Sequence, residues 1–362
     1  MMSGWGRAQV GGGALFAALV VSQAHAAPMP GPAPPPRTGE RAATQAGCVG
    51  CHVDVAREWA ASLHRVSGSD EPYRAAFARE PLGFCRNCHV PEAMPQKPVS
   101  AWAEAVGVGC VTCHVTTRGG VLATHADPDS PHRLRVSSEF AGPAACAGCH
   151  EFGFPGSEFM PRPDDMQETV REHAASWARD YACADCHMPW VDDGAGRGHR
   201  SHRFAASRDP EMLARAVGVS ARRVGMAEVE VTLTPGAAGH AFPTGDLFRR
   251  LELRVWVLGV DGPHAPQRRR LGREFATGAH GGGMLRGETA DTRVHAEPVV
   301  LRFELGSGPP PPTPICEDLS SVAVGWELRY QRVAFPDPRR REGAVLDGEV
   351  IVAFGTLPGV EE

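Results

Sequence analysis

Ten of the chain's 11 cysteines fall into five pairs of one spacing, and each pair is followed at once by a histidine. They are Cys48-Val49-Gly50-Cys51-His52, Cys85-Arg86-Asn87-Cys88-His89, Cys110-Val111-Thr112-Cys113-His114, Cys146-Ala147-Gly148-Cys149-His150 and Cys183-Ala184-Asp185-Cys186-His187. Two thiols at this spacing can add to the vinyl groups of a porphyrin while the adjacent imidazole binds its iron, which is the attachment chemistry of haem c. A disulfide framework, a zinc site or redox dithiols would also use paired cysteines. None of them calls for histidine as the fifth residue every time. With 16 histidines in 362 residues, chance alone would put one after all five pairs on the order of once in ten million.

Iron with two imidazoles is six-coordinate and suited to electron transfer, whereas iron lacking a sixth ligand can take a small molecule. The supply of further ligands therefore bears directly on function. Outside the motifs and the N-terminal leader stand His64, His125, His132, His173, His199, His202, His240, His264, His280 and His295. His64 follows the first motif on a stretch, Val53 to Arg65, where Trp59 and Leu63 have helical spacing, so a helix can carry it to another iron. The competing reading is an ordinary surface histidine. His132, in Ser130-Pro131-His132, sits in a loop rich in Pro and Asp. Of His199 and His202, close after the last motif, one ligand and one bystander are expected, with His202 the ligand. His240 lies in Gly239-His240-Ala241-Phe242-Pro243-Thr244-Gly245, a punctuated loop that could present a ligand or be only a tight turn. His125 and His173 are left as options for the fifth iron, while His264, His280 and His295 read as solvated. Met188, directly after His187, cannot reach the opposite face of its own haem.

These side chains must be held by two different kinds of polypeptide. The motifs begin 37, 25, 36 and 37 residues apart, a density at which each macrocycle replaces much of the apolar core and the chain becomes short helices and loops. From about Glu228 the pattern changes to short β-rich runs: Glu228 to Thr234, Leu251 to Val260, Val299 to Leu305, Trp326 to Ala334 and Gly348 to Phe354. In the second run Leu251, Leu253, Val255 and Val257 face one way and Glu252, Arg254 and Trp256 the other. The expected class is α+β: a mostly helical and loop multihaem cytochrome c domain (45–220) followed by an antiparallel β-sandwich-like domain (226–358).

Arg7, the apolar run Ala14 to Val21 and Ala24-His25-Ala26 read as a cleaved secretory signal (1–26), followed by a Pro/Ala-rich linker (27–44) and implying a periplasmic protein. No later run is long enough to span a bilayer, so no transmembrane segment is expected in the mature chain. The formal net charge of −5, with Lys97 the only lysine, offers no basic stripe for nucleic acid. Cys316, the odd cysteine, cannot form an attachment unit by itself.

The first motif with Trp59 and Ser62-Leu63-His64, Gly107-Val108-Gly109 before the third motif, Cys186-His187-Met188-Pro189 and His202-Arg203-Phe204 resemble multihaem cytochromes of the cytochrome c-554-like family, relatives of the tetrahaem cytochrome of ammonia oxidation. The HxFPTG loop at His240 is similar to the β-domain of that wider group. The resemblance spans about Cys48 to Leu305. It implies distal-ligand roles for His64 and His202 on haems other than their sequence neighbours, and a similar role for His240. The present chain departs from it in having five motifs rather than four, which leaves the fifth haem's sixth ligand unassigned. The expected function is periplasmic electron transfer through five covalently bound haems, from a donor such as a membrane-associated quinol-oxidising protein to an acceptor. The rival is an oxidoreductase acting on a small nitrogen or sulfur compound at one five-coordinate haem. Two recurrent devices of such enzymes are missing or scarce, since there is no C-x-x-C-K variant and the chain has only three tyrosines.

Overall fold

In the computed structural model the described residues are 29–31, 38–79, 81–94, 97–116, 119–153, 165–192, 198–247, 249–259, 262–263, 266–277, 285–305, 319–335 and 345–359. The leader, His264, His280 and Cys316 lie outside them. The architecture is mixed α+β.

The first part is a string of short elements. Helices α1 (Thr38–Cys51), α2 (Val53–Ala60), α3 (Leu63–Val66), α4 (Glu71–Arg79), α5 (Cys85–His89), α6 (Ala101–Val106) and α7 (Cys110–His114) precede two parallel three-residue strands, β1 (Val121–Ala123) and β2 (Leu134–Val136). Then come α8 (Pro143–His150), the antiparallel pair β3 (Glu151–Gly153) and β4 (Asp165–Glu168), and helices α9 (Thr169–Ala174) and α10 (Cys183–His187). A second antiparallel pair, β5 (Trp190–Asp192) and β6 (Gly198–Arg200), leads to α11 (Pro210–Ala216).

Every motif occupies a helical turn, and the reason is local. Positions i and i+3 share a helix face, with i+4 beside them, so one turn aims both thiols and the imidazole at the same object. The turns are capped accordingly. Asp185 accepts from the Ala182 N–H at 2.9 Å, Thr112 accepts from the Gly109 N–H at 3.2 Å, and Pro143 stands in the first turn of α8, where its missing N–H costs nothing.

Two boundaries differ from the sequence reading. Helix α1 begins at Thr38, within the stretch expected to be linker, because Arg41 is drawn into the fold by Glu92, with bonds of 2.5 and 2.6 Å. The single helix expected over Val53 to Arg65 breaks at Ala61 and Ser62. There the Ser62 hydroxyl donates to the Trp59 carbonyl at 2.7 Å and accepts from the Arg65 N–H at 3.3 Å, ending one helix and starting another.

The second part contains β7 (Val217–Arg223), β8 (Glu228–Pro235), β9 (Arg249–Gly259), β10 (Gly262–Pro263), β11 (Gln267–Thr277), β12 (Leu285–Asp291), β13 (Val299–Glu304), β14 (Val324–Phe335) and β15 (Val345–Leu357). They form two antiparallel sheets, ordered β13-β8-β7 and β12-β11-β9-β14-β15, with β10 on β9. Both sheets feed one apolar core, in which Val229, Val231, Leu233, Leu251, Leu253, Leu328 and Phe303 are fully buried. Because Leu213 and Ala216 of α11 and Val217 of β7 belong to this core, the β-rich unit begins before residue 220. On the other face of β9, Glu252 bonds Arg254 and Arg270 at 2.6 and 2.8 Å, and Arg254 reaches Glu327 at 3.2 Å. Cross-strand charge pairs thus fill positions that sequence alternation marks only as polar.

No such cluster forms before residue 213 among the described residues. The buried apolar side chains there are scattered and mostly small: Ala56, Trp59, Val90, Ala103, Val106, Val111, Leu122, Ala178 and Ala184. Those side chains alone make a small apolar core for a stretch of this length. No helix among the described residues is long and apolar enough to cross a membrane.

Candidate functional site

The ten paired cysteines form no disulfide with one another and stand on five helical turns numbered here as sites 1 to 5 in chain order. Four motif histidines have a remote imidazole opposite them. Ring centroids lie 6.2 Å apart for His52 and His132, and 6.3 Å apart for His150 with His64, His114 with His202 and His187 with His240. Imidazole nitrogens bind a metal at about 2 Å, and each ring adds about 1.2 Å from nitrogen to centroid, so two rings on one metal ion stand about 6.3 Å apart. At the repeated spacing each pair could hold one metal ion between its two rings. Four imidazoles in these pairs also engage Nδ1 with a backbone carbonyl: His114 with Leu122 (3.0 Å), His187 with Ala205 (2.8 Å), His202 with Arg200 (2.7 Å) and His240 with Ala241 (2.9 Å). That bond fixes the tautomer and leaves Nε2 with a lone pair for a metal. Burial pushes the pKa of His64 down to about 3 and that of His240 to about 4, which keeps both neutral as ligands must be.

Each remote histidine is held by a different device. The His64 carbonyl accepts from the Val108 N–H at 2.9 Å, and the Trp59 indole donates to the Val108 carbonyl at 2.8 Å. Gly107 makes this approach possible: its φ is +58°, and a Cβ there would stand 2.5 Å from the His64 oxygen. The His132 N–H is held by the Ser130 hydroxyl at 3.2 Å, in the loop between β1 and β2. His202 follows β6, and its N–H donates to Glu58 at 2.8 Å. Glu58 also bonds His199 at 3.1 Å, so His199 positions this loop and its ring faces no motif histidine. The His240 loop is pinned by backbone bonds of 2.8 and 2.9 Å between Phe242 and Val294.

Site 2 is different. Across from His89 there is no second histidine ring among the described residues. Its Nδ1 engages the Ser67 carbonyl at 3.2 Å, and its ring partner is Tyr73, nearly parallel with centroids 4.2 Å apart. A metal bond lies in the imidazole plane, so a ring stacked on the imidazole face cannot be the ligand opposite it. Asp246, Asp70 and Arg249 are the charges that reach His89. Of the two histidines proposed as options, His125 is exposed and bonds Thr124 at 3.1 Å. His173 is buried against Gly239, beside the site 5 loop. His295 is half-exposed and pairs with Asp291 at 2.9 Å.

The sites also touch one another. The Cys48 thiol contacts Cys110, Cys88 contacts Cys149, and Cys146 contacts Cys183. Cys113 is within electrostatic reach of Cys146 and Cys149, and His64 within reach of His202 and His187. Site 1 therefore adjoins site 3, site 3 adjoins site 4, and site 4 adjoins both 2 and 5. Cys51 of site 1 and Cys186 of site 5 are the exposed thiols of the ten.

Sequence reasoning passed over Tyr73, Glu58 and the positioning role of Gly107. Only the Gly-Val-Gly spacing before the third motif carried a signal for any of them. The donor set of sites 1, 3, 4 and 5, two thiols with two opposed imidazoles, fits a covalently held haem. Among the described residues no cluster of three or more His, Cys, Asp or Glu side chains is arranged to hold a bare metal ion. No protein-family profile and no curated protein matches the chain. Its fold is similar to that of a penta-heme cytochrome c552 from Thermochromatium tepidum, with a TM-score of 0.65 and 19% identity over 86% of this chain and 97% of that one.

Proposed function

We propose that this chain carries five covalently bound haems c and passes electrons through them as an exported, periplasmic cytochrome. The observation that carries the reading is the set of four opposed imidazole pairs at one spacing, each joining a motif histidine to a remote one. In it His52, His89, His114, His150 and His187 are proximal ligands and His132, His202, His64 and His240 the distal ligands of sites 1, 3, 4 and 5. The haem supplies reversible one-electron chemistry; the protein supplies ligands, burial and spacing. The adjacency of the sites makes a branched path, 1–3–4–5 with site 2 joined at site 4. Donor and acceptor proteins dock near the exposed ends, at sites 1 and 5, and the donor is of the membrane-associated quinol-oxidising kind.

One observation favours a second reading. Among the described residues His89 faces no second imidazole, which would leave an iron at site 2 open to a small ligand, and reduction or oxidation of a small nitrogen or sulfur compound there would make the chain an oxidoreductase. Electron paramagnetic resonance of the ferric protein separates the two. One high-spin component that shifts with cyanide, nitrite or hydroxylamine, beside four low-spin components that do not, would support the second reading. Five unresponsive low-spin haems would sink the open-site reading. Fewer than five haems per chain in an alkaline pyridine assay would sink the reading of five attachment sites.

A further inference from the structure

One buried cation holds the His240 loop from the β-rich half of the chain. Arg293, whose side chain is only 2% exposed, lies between Asp291 and Val294 just after β12. Its Nη1 donates to Glu172 at 2.5 Å and to the Pro243 carbonyl at 3.4 Å. Its Nη2 donates to Glu168 at 2.8 Å and Asp291 at 2.7 Å, and its Nε to Asp291 at 2.9 Å. The helical half grips the same loop. Ser176 donates to the Gly239 carbonyl at 2.9 Å, Trp177 to the Ala238 carbonyl at 3.1 Å, and Thr244 to Glu172 at 2.5 Å. One guanidinium therefore joins α9, β4 and the loop that carries His240, with the backbone exchange between Phe242 and Val294 directly beside it.

The position also matters electrically. A guanidinium does not lose its proton in a protein, and away from water its field is weakly screened. Arg293 reaches the Pro243 carbonyl, three residues from His240, so its charge stands close to site 5. An iron held by His187 and His240 loses one unit of positive charge when reduced, so a fixed cation nearby favours the reduced state.

We infer that Arg293 is the positioning residue of site 5, keeping His240 opposite His187 and raising the reduction potential of the haem bound there. This rests on the haem reading above. The test compares the holoprotein with R293Q, R293K and E172Q variants, by haem count, by electron paramagnetic resonance and by optical redox titration. A H240M variant identifies which component belongs to site 5. With R293Q, that component titrates at a lower potential and its low-spin signal shifts, while the other four stay in place. R293K keeps the charge and holds the potential near that of the parent. E172Q removes a neighbouring negative charge and moves the same component upward.

An R293Q protein in which no component moves overturns the inference, as does one in which all five move together, or an R293K protein whose site 5 potential falls as far as that of R293Q. If R293Q does not accumulate, E172Q decides, and an unmoved site 5 potential there overturns the inference. Chains without covalent haem would overturn the reading beneath it, and the haem count shows this before any potential is measured.

Discussion

Gly107 shows how much of a ligand's position rests on one backbone. Its φ of +58° suits glycine, and the space where a Cβ would stand is already taken by the His64 oxygen, 2.5 Å away, and the Ser67 hydroxyl, 2.7 Å away. Gly107→Ala should cost about 1–3 kcal/mol, from the strained conformation and the displaced neighbours. Because the displaced neighbour is His64 itself, the low-spin signal of site 4 should change as well. Thermal unfolding with a resonance spectrum checks both, and an unaltered melting temperature would count against the tight approach. The polar residues around the rings act by the same logic. Glu58 binds the His202 backbone and the His199 ring together, so one carboxylate holds the His199 ring while leaving the His202 ring opposite His114. Neither role is visible in composition, since a glycine before a motif and a glutamate in an amphipathic helix are both common.

At the scale of elements, the motif helices were legible because their chemistry is local. A turn of helix gathers i, i+3 and i+4, and nothing distant is needed to make it. The strands with alternating apolar residues were legible for a similar reason: Leu251, Leu253, Val255 and Val257 alternate, and all four are buried. Leu253 is fully buried between β14 and β11, facing Leu328 and Arg269 in register. Leu253→Ala should therefore destabilise the β-rich unit by about 2–5 kcal/mol. Chemical denaturation followed in the far ultraviolet measures this, and a loss below about 1 kcal/mol would mean that this core is not closely packed. Strand β11 was not read from sequence. Arg268-Arg269-Arg270 breaks the alternation, and such a strand pairs into place only because neighbours such as Glu252 and Glu288 receive its arginines. Strand β7 was missed as a strand for a related reason, since it exists through its ladder with β8.

For the whole molecule, the uneven distribution of apolar core is the main feature. Among the described residues the clustered core lies from Leu213 onward, while the part carrying the five motifs buries scattered and mostly small apolar side chains. The chain without haem should therefore lose its first part and keep its second. Limited proteolysis of unmatured protein should leave a β-rich fragment beginning close to α11, whereas the haem-loaded protein resists. Equal resistance of both halves without haem would show that the first half has a core of its own. The contact between the halves, through Arg293 with Glu172 and Ser176 with the Gly239 carbonyl, gives the β-rich unit a part in site 5 that its lack of motifs conceals.

Sequence by itself determined the number and spacing of the C-x-x-C-H units, because two thiols and an imidazole on one turn depend on neighbours along the chain. It also marked His64, His132, His202 and His240 as the rings to follow. Only the tertiary structure decided which motif each ring faces, because those partners lie between 53 and 88 residues away and meet by packing rather than by spacing. The same is true of His89. No local pattern distinguishes its motif from the other four, and among the described residues its ring is met by Tyr73 rather than by a second imidazole.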